Sequence, residues 1–150
     1  MRIALVVSDY HAFITSGLEA GARASLGDEG ISGEGVERFP VPGAYELAQA
    51  AQRVAETGQF DAVICLGCLI RGETPHFDYI AQAAAHGIMR AAQATGVPIA
   101  FGVLTTNTAD EAMARAVEGP GNKGREAAVA ALAMARLYDA IDRRDGAPVS

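Results

Sequence analysis

The densest run of reactive side chains is IRGETPHFDY, residues 70–79. Pro75 suits the first position of a helix, where its missing N–H is not needed, and Thr74 is then the expected N-cap. Gly72 lets the backbone come close to a ligand, and the free N–H groups of a helix start can cradle a phosphate. His76 stands at the same place, with an imidazole that can take or give a proton near neutral pH. Residues 72–76 could therefore hold an anion and move a proton beside it. The same spacing also suits an ordinary capped helix with a surface histidine.

Other reactive side chains are scattered along the chain. Tyr10, Tyr45 and Phe101 fall near expected strand ends or the helices that follow, and rings converging on one crevice could stack on a planar heterocycle; each alone could simply cap the core. Glu46 could accept hydrogen bonds from a polyol or oppose a helix dipole. Arg115 and Lys123 flank one loop as counter-charges for a phosphate or as solvated cations. Arg71 has the same two readings, with Glu73 or another acid as its structural partner. His11 stands on the first crevice loop and leans toward solvent, while His86 is placed mid-helix at the surface or in packing. Cys65 and Cys68 form a C-x-x-C pair inside DAVICLGCLI. That stretch reads as a buried strand and its exit. Residues three apart on a strand point to opposite faces, and a redox pair wants a helix N-terminus instead. Two cysteines with no histidine at ligand spacing do not make a structural zinc site, so no metal is expected.

Positioning these groups requires elements, and strands and helices alternate along the whole chain. Residues 2–7 form a buried strand, and a helical pattern runs through Ile14, Leu18 and Ala22. A glycine-rich loop spans 27–35; GVERF is a second strand, stopped by VPG. A helix covers about 44–57, and a strand covers 61–67, apolar throughout and so buried on both faces. A third helix spans 76–94 and presents Phe77, Ile80, Ala84 and Ile88 on one face. VPIAFGVLT is a fourth strand, and DEAMARA a short helix. A last helix spans about 122–143, with Met134, Leu137, Tyr138 and Ile141 as its stripe. Residues 144–150 are expected to be a disordered tail. Such alternation predicts a parallel sheet with helices on both faces. Ligands then bind outside the C-terminal strand ends, which selects SDYHAFIT, PVPGAYE, GCLIRGETPH and FGVLTTNT.

Several classes are disfavoured. SDYHAFIT holds no glycine, so it is no dinucleotide fingerprint, and GPGNKG neither follows a strand nor has P-loop order. A receiver domain needs clustered acids at the first strand end, where only Asp9 stands. The 150 residues carry 12 basic and 18 acidic side chains, a net charge of −6. That balance argues against nucleic acid as a partner. No run approaches the roughly 20 apolar residues of a membrane span, and the start is too short for an export signal. A cytoplasmic protein of one domain, residues 1–150, is expected.

VPGAYE, GCLIRGETPHFDY, GVPIAFGVLTTNT and GNKGREAA, in this order and at these separations, resemble the lumazine synthase family across roughly residues 2–140. The resemblance implies a flavodoxin-like three-layer α/β/α sandwich on a central four-stranded parallel sheet. It implies a transferase of riboflavin biosynthesis, which condenses 5-amino-6-(D-ribitylamino)uracil with 3,4-dihydroxy-2-butanone 4-phosphate. The products are 6,7-dimethyl-8-ribityllumazine, phosphate and water, and no cofactor is required. By similarity, Tyr10 stacks on the pyrimidine. Ala44, Tyr45 and Glu46, then Cys68, Leu69 and Ile70, line the ribitylaminouracil pocket with Phe101. Gly72, Glu73 and Thr74 bind the sugar phosphate with Arg115 and Lys123, and His76 is the general acid/base. The family's basic unit is a homopentamer, alone or in multiples, with Phe101 and Arg115 supplied by a neighbouring subunit. Riboflavin synthase is a further candidate partner. This chain departs from the family at Asp9, Tyr10 and His11, where Arg-Phe-Asn is common, and it lacks the extra N-terminal strand of many members. The departures leave a flavin- or lumazine-binding paralogue with little turnover as the alternative.

Overall fold

The apolar, β-branched start folds as strand β1, Ile3–Ser8, buried along its whole length. In the computed structural model, which describes residues 1–144, three further strands complete the sheet: β2 (Val36–Val41), β3 (Ala62–Ile70) and β4 (Ile99–Thr106). The strand order is β2-β1-β3-β4, and all three pairings are parallel. Helices α1 (Ala12–Asp28), α2 (Leu47–Glu56), α3 (His76–Thr95), α4 (Ala109–Ala114) and α5 (Lys123–Arg144) lie between and after the strands. The expected sandwich is thus observed, in the strand order of a flavodoxin-like sheet.

Side-chain alternation along the strands divides the core in two. Ile3, Leu5 and Val7 of β1 join Ile64 and Leu66 of β3 against Ile14, Leu18, Ala128 and Leu132 of α1 and α5. Ala4 and Val6 join Val63 and Val103 on the other side, against Leu47, Ala51, Val54 and Ile88 of α2 and α3. α4 belongs to the first layer through Ala112.

Several boundaries differ from the sequence expectation. β2 continues two residues past GVERF, through Pro40, which is paired with Val7. Proline is tolerated there because β2 is an edge strand with one side unpaired. The second helix begins later than expected, because residues Ala44–Glu46 form a 3-10 turn before α2. β3 runs three residues further than expected, to Ile70, so Cys68 lies within the strand. The cysteines face opposite ways, Cys65 into the α2–α3 core and Cys68 into the α1–α5 core. Neither forms a disulfide.

The stripe of α5 is also different. Ala127, Ala128, Ala131, Leu132 and Ala135 form its buried face, whereas Met134, Leu137 and Ile141 are exposed. Alanines win the inner face because α1 crosses too closely for longer side chains. A Cβ on Gly124 would overlap the Leu18 carbonyl. Arg144 still belongs to α5, and the remainder of the expected tail, 145–150, lies outside the described residues.

Burial raises the Cys65 thiol from its ordinary 9.0 to about 12 and the Cys68 thiol to about 11. Above pH 9 the unfolded chain releases these protons while the folded chain keeps them. Stability therefore is fully present below that pH and falls as pH rises toward the folded values, by up to about 1.4 kcal/mol per thiol per pH unit. Urea unfolding between pH 9 and 11 is expected to show a shallower loss for Cys65→Ala than for the parent protein. Equal slopes would mean that the thiol ionises without penalty.

Candidate functional site

At the C-terminal end of β1 the chain turns sharply into α1. His11, at the N-cap position, holds left-handed backbone angles (φ 58°, ψ 45°), a conformation few non-glycine residues adopt. Its carbonyl accepts the first N–H groups of α1, from Ile14 and Thr15. The turn sets the Tyr10 ring edge-on against the His11 ring, with centroids 4.5 Å apart. Tyr10 is 64% exposed. The Thr15 hydroxyl donates to the Ser8 carbonyl at 2.9 Å and anchors the turn from below.

The segment after β3 is fixed by Arg71. Its backbone N–H donates to the Thr106 carbonyl at 2.9 Å. Its guanidinium donates to Asn107 Oδ1 at 3.0 Å, pairs with Asp78 at 3.3 Å and lies 4.5 Å over the Phe77 ring. Arg71 is thus a structural cation, and its acid partner is Asp78, not Glu73. The helix starts at residue 76 as expected, while the cap position shifts by one residue. Pro75 occupies the N-cap position, φ −71° and ψ 4°, and α3 begins at His76. The Pro75 carbonyl accepts the N–H groups of Asp78 and Tyr79. The Thr74 hydroxyl accepts the His76 N–H at 3.4 Å. A residue before proline is pushed toward extended angles, the backbone a capping residue adopts, so Thr74 keeps a capping contact with His76 although the helix is counted from His76.

These segments converge on a cleft of about 890 Å³. Tyr10 and His11 come from the β1 exit, Ala44, Tyr45 and Glu46 from the turn before α2, and Cys68, Leu69 and Ile70 from the end of β3. Gly72, Thr74 and His76 come from the start of α3. Tyr10 and His76 thus share one cleft at the carboxyl end of the sheet. Gly43 lets the Glu46 carboxylate lie against the backbone, since a Cβ there would stand 3.3 Å from Glu46 Oε1.

Four wall residues lie beyond the sequence assignment: Gly43, Phe77, Tyr79 and Ile80. Tyr79 and Ile80 stand three and four positions after His76, the spacing that places helical side chains on one face. That signal was available. His11, left open from sequence, also lines the cleft.

Four expected site residues do not line the cleft in this protomer: Glu73, Phe101, Arg115 and Lys123. Glu73 is exposed beside it. Phe101 pairs in register with Cys65, on the edge strand β4, and is 37% exposed. Arg115 follows α4, on the α1–α5 layer across the sheet. A reciprocal capping box starts that helix: the Thr108 hydroxyl accepts the Glu111 N–H and the Glu111 carboxylate accepts the Thr108 N–H. The Arg115 guanidinium donates to the Glu111 carbonyl at 2.9 Å. Lys123 pairs with Glu126 at 3.0 Å, and its N–H donates to the Arg115 carbonyl at 2.9 Å. The two cations therefore sit at the two ends of one loop.

Among the described residues no three His, Cys, Asp or Glu side chains cluster as metal ligands, and no helix is long and apolar enough to cross a membrane.

A family model described as 6,7-dimethyl-8-ribityllumazine synthase matches residues 1–139. Three curated proteins carrying that name are similar to this chain. One from Chlorobium phaeovibrioides is 50% identical over 140 residues, 93% of this chain and 90% of its own length. One from Salinibacter ruber is 48% identical over 141 residues, covering 94% and 90%. One from Deinococcus radiodurans is 44% identical over 143 residues, covering 95% and 92%. Similarity of this depth, extending through every segment that walls the cleft, means that the chain belongs to the 6,7-dimethyl-8-ribityllumazine synthase family.

Proposed function

We infer that this protein condenses 5-amino-6-(D-ribitylamino)uracil with 3,4-dihydroxy-2-butanone 4-phosphate to give 6,7-dimethyl-8-ribityllumazine. The observation that carries the inference is a single cleft lined by Tyr10, Tyr45, Glu46, Gly72, Thr74 and His76, in a chain of this family. The reaction joins two substrates, forms an imine with loss of water, eliminates phosphate, and closes a ring with loss of a second water. Each step needs orientation, proton transfer or anion stabilisation, and the residues of the cleft supply those functions.

In this reading the Tyr10 ring stacks on the pyrimidine, and Ala44, Tyr45, Glu46, Cys68, Leu69 and Ile70 bind the ribitylaminouracil. The polyol suits the Glu46 carboxylate, which accepts hydrogen bonds. The backbone at Gly72 and the start of α3 receives the phosphate, with Glu73 and Thr74 beside it. His76 exchanges protons with the reacting amine and ketone. Phe101, Arg115 and Lys123 come from a neighbouring copy of the chain, in a pentamer or a multiple of pentamers. Two observations support this sharing: the aromatic and cationic side chains lie outside their own cleft, and Phe13, Met89, Val129 and Leu137 leave apolar surface uncovered. Riboflavin synthase, which would use the product, is a candidate partner, and a cytoplasmic location suits such an enzyme.

Mixing the protein with both substrates and following lumazine fluorescence tests the reading; stoichiometric binding without turnover would favour a ligand-binding paralogue instead. Because holding two substrates together supplies much of the acceleration, His76→Ala is expected to lose about 10²-fold or less in kcat. Undiminished turnover at saturation would remove His76 from its role. Arg115→Ala should raise KM for the sugar phosphate far more than KM for the pyrimidine, and equal changes in both would contradict the assignment.

A further inference from the structure

Asn122 is 1% exposed and among the few polar side chains in the interior. Its amide nitrogen lies within hydrogen-bond reach of three carbonyls: Gly17 and Ala116 at 3.0 Å and Val117 at 3.1 Å. Its Oδ1 accepts the Arg125 N–H at 3.0 Å, the geometry of an N-cap for α5. Serine would cap that helix about as well. The grip on the three carbonyls exceeds what capping requires, and burying an amide this deeply is tolerable only because its polar atoms are satisfied.

The carbonyls it gathers belong to the loop that separates Arg115 from Lys123 and to α1. Gly119, Pro120 and Gly121 stand in that loop, and Gly119 has φ 130°. Such a segment has wide backbone freedom unless it is tied. Asn122 ties its first residues, its last residue and α1 to one point. The facing helix is shaped around this knot. A Cβ on Gly21 would overlap the Asn122 amide, and one on Gly17 would overlap the Ala116 carbonyl.

We propose that Asn122 is a positioning residue that fixes the loop carrying Arg115 and Lys123, and thereby sets the affinity of the site for the phosphate-bearing substrate. Asn122 touches no substrate; it acts through the two cations. The proposal rests on the lumazine-forming reading given above.

The test is steady-state kinetics of the assembled enzyme in both substrates for Asn122→Ser, Gly17→Ala and Leu132→Ala. Asn122→Ser keeps a helix cap and releases the three carbonyls. Gly17→Ala pushes the same loop from the α1 side. Leu132→Ala removes a buried side chain from α5 away from the loop and serves as a control for lost stability, measured by melting temperature. The first two variants are expected to raise KM for the sugar phosphate about tenfold, with kcat and KM for the pyrimidine within about twofold. Leu132→Ala should melt earlier and leave both KM values in place. Unchanged KM values in the first two variants, or both KM values moving in step, would overturn the proposal. Should Asn122→Ser not fold, Gly17→Ala is judged by the same split. Parent protein that forms no lumazine would defeat the underlying reading; an active parent with the expected Arg115→Ala split, but none in the loop variants, would defeat this proposal alone.

Discussion

Burial of β1 and β3 on both faces decides where this chain can handle a ligand. A strand sealed between two helical layers has no water for its backbone, so its N–H and C=O groups pair with neighbouring strands until the strand ends. Only beyond Ser8, Ile70 and Thr106 does the chain regain polar groups free for other work. β1 and β3 are adjacent, so their exits are adjacent too. The β1 exit delivers Tyr10 and His11, and the β3 exit delivers Gly72, Thr74 and His76. The turn before α2 closes the third side. A cleft at this end is a consequence of stacking parallel strands, and the side chains placed there give it chemical character.

The opposite layer obeys a different constraint. α1 packs so closely on α5 and on the loop before it that Gly124 has no room for a Cβ beside Leu18, nor Gly17 and Gly21 beside Ala116 and Asn122, and alanines fill much of the seam. Contact this close leaves little freedom for either helix to slide, because interiors at crystal-like density cannot deform without opening voids. The loop between α4 and α5 inherits that rigidity at both ends. Its cations are fixed in a frame that begins with the turn bearing Tyr10, since α1 follows that turn directly.

Most of the architecture was legible because two periodicities dominate the sequence. Continuous apolar runs at 2–7 and 61–67 signal doubly buried strands, and alternation with helical patterns signals parallel order. Details failed where one chemical feature has two structural uses. The second strand was expected to end at Phe39, yet it runs on through Pro40, which an edge strand tolerates. Pro75 was expected inside the helix, yet it sits just before it. Helical spacing in α5 points to Met134, Leu137, Tyr138 and Ile141 as its stripe. The inner face instead belongs to alanines, since helix proximity mattered more than hydrophobicity. Of the four segments flagged by strand ends, SDYHAFIT, PVPGAYE and GCLIRGETPH wall the cleft, whereas FGVLTTNT contributes nothing to it in this protomer. Tyr79 escaped notice because no strand end pointed to it, although its spacing from His76 did. The position of Arg115 across the sheet could not be read from spacing at all, because it depends on how α4 and α5 fold back.

That position has a consequence for how the site can be completed. Arg115 and Lys123 lie on the α1–α5 layer, while the helix start that would receive a phosphate lies at the α3 side. Within one chain the sheet stands between the two helical layers, and neither cation lines the cleft. An isolated protomer would then offer a dianion backbone N–H groups, the Thr74 hydroxyl and a histidine, in a protein whose net charge of −6 opposes its approach. Supplying the cations from a neighbouring copy resolves both difficulties, because local positive charge then meets the anion exactly where the bulk field is unfavourable. The same arrangement would bring an aromatic edge strand, with Phe101 at its surface, against the exposed rings of Tyr10 and Tyr45. Under the proposed sharing, assembly would be part of the chemistry: the copy that stacks the ring and the copy that neutralises the phosphate would be different molecules.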